Sequence, residues 1–280
     1  MKVTVYVAST FTKENSGGNK AGVVLFEEQL SNNQKISIAK EIGFSETAFV
    51  SKSNIADFKL EYFTPIEEVP LCGHATIGTF VILDLLKYLN KSKYNIETKS
   101  GVLDIIIEGD TIFMEQGIPQ FYDQISIEEM SGCFDINNVE NSMPTQIVST
   151  GLKDIIVPIK NEELLYNLQP NFSNIYKISE AYDVVGMHLF TIEGTRIVCR
   201  NFAPRYDIDE EAATGTSNCA LAGYLFNKLN IKKDNYIFEQ GYNLNSISEI
   251  IVRILQKNSE IDKIFVGGKG YSTEQKEVNI

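Results

Sequence analysis

The chain has 280 residues, 43% hydrophobic and 22% charged, a balance that excludes a disordered polypeptide. Lysine and arginine total 25 against 37 acidic residues, and the resulting formal charge of −12 argues against a nucleic-acid partner or an anionic membrane surface. Cys72, Cys133, Cys199 and Cys219 form no C-x-x-C pair and fit no zinc spacing. With only His74 and His188 as histidines, no metal is expected, and a reduced cytoplasmic protein is the simplest reading.

Val3, Val5 and Val7 alternate with Thr4 and Tyr6 and predict a half-buried strand, and Ala21–Phe26 predicts a second after the Gly17-Gly18-Asn19 break. Ser31 or Asn32 caps a helix carrying Ile36, Ala39 and Ile42, which Gly43 ends. Thr47–Val50 and Leu60–Thr64 read as strands, the latter stopped by Pro65. The most apolar stretch, Phe80–Leu86, is interrupted by Asp84 and is too short to span a bilayer. Glu97–Lys99, Val102–Ile107 and Ile112–Glu115 form two hairpins around Ser100-Gly101 and Gly109-Asp110. Residues 119–145 read as a connection with a short helix near Ile127–Met130. Strands follow at Gln146–Thr150, Ile155–Ile159, His188–Ile192 and Thr195–Asn201.

An internal repeat organises these elements. Phe63-Thr64-Pro65, Glu67-Glu68 and Leu71-Cys72-Gly73-His74-Ala75 precede one helix. Phe202-Ala203-Pro204, the acidic run Asp207 to Glu211 and Ala213-Thr214-Gly215-Thr216-Ser217 precede another. The helices carry stripes at Ile77, Val81, Leu85 and Leu89 and at Leu221, Leu225 and Leu229. The expected division is a half-repeat over residues 1–118, the connection at 119–145 and a second half-repeat over 146–264, with a final strand near 265–280 returning to the first half.

Each copy reads as strand, turn, acidic loop, glycine and helix. Two helix starts, at Gly73 and Gly215, offer unpaired N–H groups to a carboxylate or other anion, although Thr216 or Ser217 as a routine N-cap is the plainer alternative. Glu46, at the entry to an apolar strand, suits proton transfer if partly desolvated, and His74 beside Gly73 suits a donor or relay. Asp207, Asp209, Glu210 and Glu211 either accept protons or balance the helix start. Arg196, Arg200 and Arg205 are read as balancing that run rather than binding substrate. A two-thiol site is not supported, because the position matching Cys72 is Thr214. No G-x-S-x-G, P-loop or placed G-x-G-x-x-G occurs.

Taken together, Gly18-Asn19, Gly43-Phe44-Ser45-Glu46-Thr47, Phe63-Thr64-Pro65, Cys72-Gly73-His74-Ala75-Thr76 and Glu210-Glu211-Ala212-Ala213-Thr214-Gly215-Thr216 resemble the PhzF-like family. That resemblance implies an α+β, diaminopimelate-epimerase-like fold: two pseudo-symmetric domains, each a curved, mostly antiparallel sheet around a central helix, with the active site in the cleft between them. It implies a homodimeric isomerase that moves a proton on a small carboxylate-bearing metabolite without cofactor or metal. The implied catalytic residues are Glu46, His74 and Glu211. Asn19, Ser45, Cys72, Gly73, Gly215, Thr216 and Ser217 are the expected substrate contacts. The family usually has Asp at 211 and Ser at 216, so the phenazine substrate is not carried over. The alternatives are a thiol-dependent epimerase or lyase using Cys72 with Glu46 or Thr214, and a binding protein without turnover.

Overall fold

The computed structural model describes residues 2–26 and 30–280, and the chain divides into two compact units, residues 1–115 with 267–280, and residues 116–266. The first unit begins with β1 (Lys2–Thr10) and β2 (Asn19–Leu25), an antiparallel pair. Helix α1 (Asn32–Ile42) starts in a capping box, with Ser31 Oγ accepting from the Gln34 N–H and the Gln34 side chain accepting from the Ser31 N–H. It ends at Gly43, whose φ of 75° a residue with a side chain rarely adopts. Ile38, Ala39 and Ile42 then face Val5, Phe49 and Phe63 in one core.

After α1 the chain continues through β3 (Thr47–Ser51), β4 (Phe58–Phe63), β5 (Glu68–Val69), α2 (Gly73–Leu85), β6 (Lys93–Thr98), β7 (Gly101–Glu108) and β8 (Thr111–Gln116). β2 and β3 are parallel, β3 and β4 antiparallel, β4 and β6 parallel, and β6 and β7 antiparallel, with β5 folded back on β4.

The second unit contains β9 (Gln120–Gln124), β10 (Gln146–Ser149), β11 (Lys153–Pro158), α3 (Glu162–Asn167), α4 (Phe172–Ala181), β12 (Gly186–Glu193), β13 (Arg196–Ala203), β14 (Ile208–Glu211), α5 (Gly215–Asn227), β15 (Asn235–Gln240), β16 (Ser248–Lys257) and most of β17 (Glu260–Gly268). Its pairing repeats that of the first. β11–β12 is parallel, β12–β13 antiparallel, β13–β15 parallel and β15–β16 antiparallel, with β14 folded back on β13. The sequence repeat is therefore a repeat of topology, with α2 and α5 at matching places. β18 (Gly270–Asn279) pairs with β1 in the first unit. The stretch read from the sequence as a connection carries the short helical turn at Glu128–Met130, but also β9, which pairs with β10.

The expected amphipathic stripes are not what buries α2 and α5. His74 to Phe80, Ile82 and Leu83 are all buried, so α2 is a central helix enclosed nearly all round, while Leu85 is exposed and Leu89 lies past its end. α5 is buried from Ser217 to Phe226, and Leu229 follows its last turn. α5 approaches the chain at Pro119 so closely that a Cβ on Gly223 would lie 2.5 Å from the proline ring. Gly223→Ala is thus expected to lower stability by about 1–3 kcal/mol through overpacking, read as a lower urea midpoint at unchanged m. No helix among the described residues is long and apolar enough to cross a membrane.

Candidate active site

Three local devices bring the first unit's candidate residues together. Gly43 ends α1, and the Gly22 N–H donates to the Glu46 carbonyl, fixing the approach to β3. The Phe63-Thr64-Pro65 signature is a turn. Thr64 Oγ1 accepts from the N–H groups of Ile66 and Glu67, and the Thr64 N–H donates to the Glu67 carbonyl. This turn leads through β5 to Cys72, the N-cap of α2, whose side chain makes no capping bond. Glu46, distant in sequence, meets the neighbours Cys72 and His74 there. Glu46 Oε2 lies 3.2 Å from His74 Nε2, Cys72 Sγ lies 3.4 Å from His74 Nδ1, and Ser45 Oγ lies 3.5 Å from His74 Nε2.

Burial holds the His74 pKa below its ordinary value, outweighing the opposing pull of the Glu46 carboxylate. His74 is therefore a neutral imidazole at pH 7, able to donate from one ring nitrogen and accept at the other. Glu46 Oε2 is buried and off the line of any hydrogen bond. A carboxylate oxygen so placed keeps a lone pair for an incoming proton. Asn19 sits at the start of β2, opposite Thr10 of β1, and its carbonyl accepts from Thr10 Oγ1.

In the second unit Glu211 ends β14. Thr214 Oγ1 donates to Glu211 Oε2 at 2.5 Å, and Gln240 Nε2 donates to the Glu211 carbonyl. Thr214, not Thr216 or Ser217, is the N-cap of α5, and its side chain makes no capping bond. The Thr216 carbonyl accepts from Thr150 Oγ1. Ser217, expected from the sequence to cap the helix or touch ligand, is buried; its hydroxyl donates to Asp154 Oδ2 and accepts from Asn201 Nδ2. That commits it to the support under the helix.

Ser217 belongs to a polar row that the sequence reading missed. Asp154 of β11, His188 of β12, Asn201 of β13 and Gln240 of β15 lie on four adjacent strands beneath the first turn of α5. Asn201 Nδ2 donates to His188 Nδ1, and His188 Nε2 donates to Asn218 Oδ1. Asn218 Nδ2 donates to the Thr214 carbonyl and to Gln240 Oε1. All four are buried. Sequence offered no signal for them, since Asp154 stands beside Lys153, Asn201 beside Arg200 and Gln240 beside Glu239. Of the three arginines, only Arg200 balances the acidic run, through Glu210; Arg196 pairs with Glu162 and Glu239, and Arg205 with Asp183.

Burial pushes Asp154 up to about 7 and His188 down to about 4. Between pH 4 and 6.5 folding therefore takes up a proton at Asp154 and releases one from His188. A raised carboxyl loses stability as pH rises through that window, a lowered imidazole loses it as pH falls, and in the wild type the two slopes cancel. Asp154→Asn is expected to expose the histidine slope, losing about 3 kcal/mol of stability relative to wild type from pH 6.5 to 4. His188→Gln is expected to show the opposite slope. Urea unfolding across pH checks both, and parallel profiles for all three proteins would refute the two opposed shifts.

A family model described as phenazine biosynthesis-like protein matches residues 8–275. The chain belongs to the PhzF-like family. It is 35% identical over 253 residues to an uncharacterized isomerase of Clostridium acetobutylicum, covering 85% of this chain and 84% of that one. It is 30% identical over 276 residues to the uncharacterized isomerase YfhB of Bacillus subtilis, covering 94% of each. The crystal structure of a Bacillus anthracis phenazine biosynthesis protein of the PhzF family superposes with a TM-score of 0.92 at 29% identity, covering 100% of both chains. A hydroxyproline epimerase from Agrobacterium vitis shares the fold alone, with a TM-score of 0.66 at 9% identity over 99% of this chain and 92% of that one. The PhzF-like fold is thus an epimerase-type α+β fold, in which this member places a carboxylate, an imidazole and a thiol at the start of its first central helix.

Proposed function

We propose that this PhzF-like protein is an isomerase that moves a proton on a small carboxylate-bearing metabolite without a cofactor, with Glu46 as the base. The observation that carries this reading is the buried Glu46 Oε2, free of an aligned hydrogen bond and 3.2 Å from a neutral imidazole. Glu46 takes the proton from an activated C–H, and the electron pair moves into the adjoining unsaturated system as an enolate. The first-turn N–H groups that begin at Gly73 face no capping side chain and suit the developing negative oxygen. The proton then returns to a different carbon from Glu46, with His74 as the neighbouring donor. The named isomerases among the relatives support the reaction class.

A thiol-dependent epimerisation is the second reading, favoured by the 3.4 Å approach of Cys72 Sγ to His74 Nδ1. It lacks a second thiol at the matching place, where Thr214 caps α5. The test is incubation in D₂O with a panel of small unsaturated carboxylates, followed by mass spectrometry. The expected result is deuterium entering one compound class at carbon. A protein that binds one of these compounds tightly yet labels none would be a binding protein instead.

A further inference from the structure

Each central helix is tied down at the same point by a buried polar side chain. In the first unit Thr76 Oγ1 donates to the Cys72 carbonyl at 2.7 Å, and the Thr76 N–H donates to the same oxygen at 3.1 Å. The Thr76 hydroxyl has one proton and donates it there, so the Tyr62 hydroxyl, 2.6 Å away, is the donor of the next bond. In the second unit Asn218 Nδ2 donates to the Thr214 carbonyl at 2.8 Å, and the Asn218 N–H donates to it at 3.2 Å. The register that aligns Gly73 with Gly215 pairs Cys72 with Thr214 and Thr76 with Asn218. The register that aligns Phe63 with Phe202 pairs Tyr62 with Asn201. The tie therefore recurs, built from different residues.

Its link to the strands recurs too. Tyr62 of β4 stands opposite Ala48 of β3 and reaches the helix alone. Asn201 of β13, with a shorter side chain, stands opposite His188 of β12, and His188 carries the connection on to Asn218. A large residue facing a small one is replaced by a short one facing a large one, with the same end points. Thr79, three residues beyond Thr76, makes the same backward bond to the Ala75 carbonyl, but its counterpart is Leu221. Backward bonding along the helix is thus not what the two halves share; the hold on the residue before the glycine is.

A trans peptide sets its N–H opposite its carbonyl. Holding the Cys72 carbonyl toward Thr76 therefore aims the Gly73 N–H the other way, out of the helix start, and the Cys72 side chain makes no capping bond that could hold the peptide instead. We propose that Thr76, braced by Tyr62, is a positioning residue that sets the direction of the Gly73 N–H and, through it, the rate of proton transfer. The clamp rests on the hydrogen bonds alone; its effect on rate rests on the reading of this protein as an isomerase whose enolate oxygen meets that N–H.

The test pairs Thr76→Val with Thr76→Ser, which returns the hydroxyl, and with Thr79→Val, which removes an equally buried bond outside the clamp. The residual dipolar coupling of the Gly73 N–H in weakly aligned, ¹⁵N-labelled protein reports the direction of that bond without any substrate. It is expected to change in Thr76→Val, to return in Thr76→Ser and to keep its wild-type value in Thr79→Val. In the D₂O assay Thr76→Val is expected to lower kcat by about tenfold or more with KM within about threefold, while Thr76→Ser and Thr79→Val stay within about threefold of wild type in both. Tyr62→Phe with Thr76→Val removes both hydroxyls and strands no buried donor, and it replaces Thr76→Val where circular dichroism shows the single variant unfolded. An unchanged Gly73 coupling in the folded variant overturns the clamp. A changed coupling with an unchanged kcat overturns its effect on rate, and so does an equal loss in Thr79→Val. If the wild type labels no compound, the isomerase reading and the effect on rate fall together, while the couplings still decide the clamp.

Discussion

Glu46→Gln is expected to slow turnover by 10²- to 10⁴-fold, the usual contribution of a positioned general base, or roughly 3–5 kcal/mol of transition-state stabilisation. Gln keeps the length and polarity of the side chain but takes no proton at neutral pH. The loss should fall on kcat with KM little changed, because the interaction removed exists chiefly in the transition state. Stability should hardly move, since Glu46 Oε2 makes no aligned hydrogen bond and the 3.2 Å neighbour His74 is neutral. Glu46→Asp restores a base but withdraws it by one methylene, and an intermediate rate is expected. A kcat within tenfold of wild type for a folded Glu46→Gln would remove this residue from the chemistry.

Arg200→Met is expected to cost about 3–5 kcal/mol of folding stability without touching that chemistry. The guanidinium is buried and forks onto Glu210, with Nε 2.9 Å from Oε1 and Nη2 2.8 Å from Oε2. Its Nη1 donates to the carbonyls of Leu165 and Leu168, closing the C-terminal end of α3. It also lies over the Phe202 ring, 4.9 Å from the centroid. Methionine fills much of the volume but strands a buried carboxylate and two carbonyls. The pair is weak evidence of net stabilisation, since desolvating two charges offsets much of their attraction. Arg200→Met with Glu210→Met is therefore expected to recover the share due to the stranded carboxylate. Arg200→Lys should recover little, because an ammonium cannot reproduce the fork and the two carbonyl bonds together. Urea midpoints for the four proteins decide it, and a single variant within 1 kcal/mol of wild type would contradict the account.

Local signals made much of the fold legible. Ser31 and Gly43 bracket α1 because capping is chemistry within one turn. The hairpins at Ser100-Gly101 and Gly109-Asp110 follow from turn residues alone. The repeat around Gly73 and Gly215 foretold matching helices, and the family resemblance implied that they are central; their burial came from enclosure rather than from one apolar stripe. β9 escaped notice because Gln120–Gln124 is largely polar and exposed, and only its pairing with β10 makes it a strand. The row of Asp154, His188, Asn201 and Gln240 depends on which strands lie side by side, and no local pattern carries that. At the candidate site, motif resemblance picked out Glu46, Cys72 and His74, while their meeting required the Thr64 turn to return the chain.

The central claim is that a carboxylate, not a thiol, moves the proton. Solvent deuterium incorporation into the responding carboxylate, compared side by side for wild type, Glu46→Gln and Cys72→Ala in metal-free buffer, tests it most directly. Label should enter with wild type and with Cys72→Ala, and be reduced at least a hundredfold with Glu46→Gln. Label that persists in Glu46→Gln and vanishes in folded Cys72→Ala would contradict the account and make Cys72 the acid–base group.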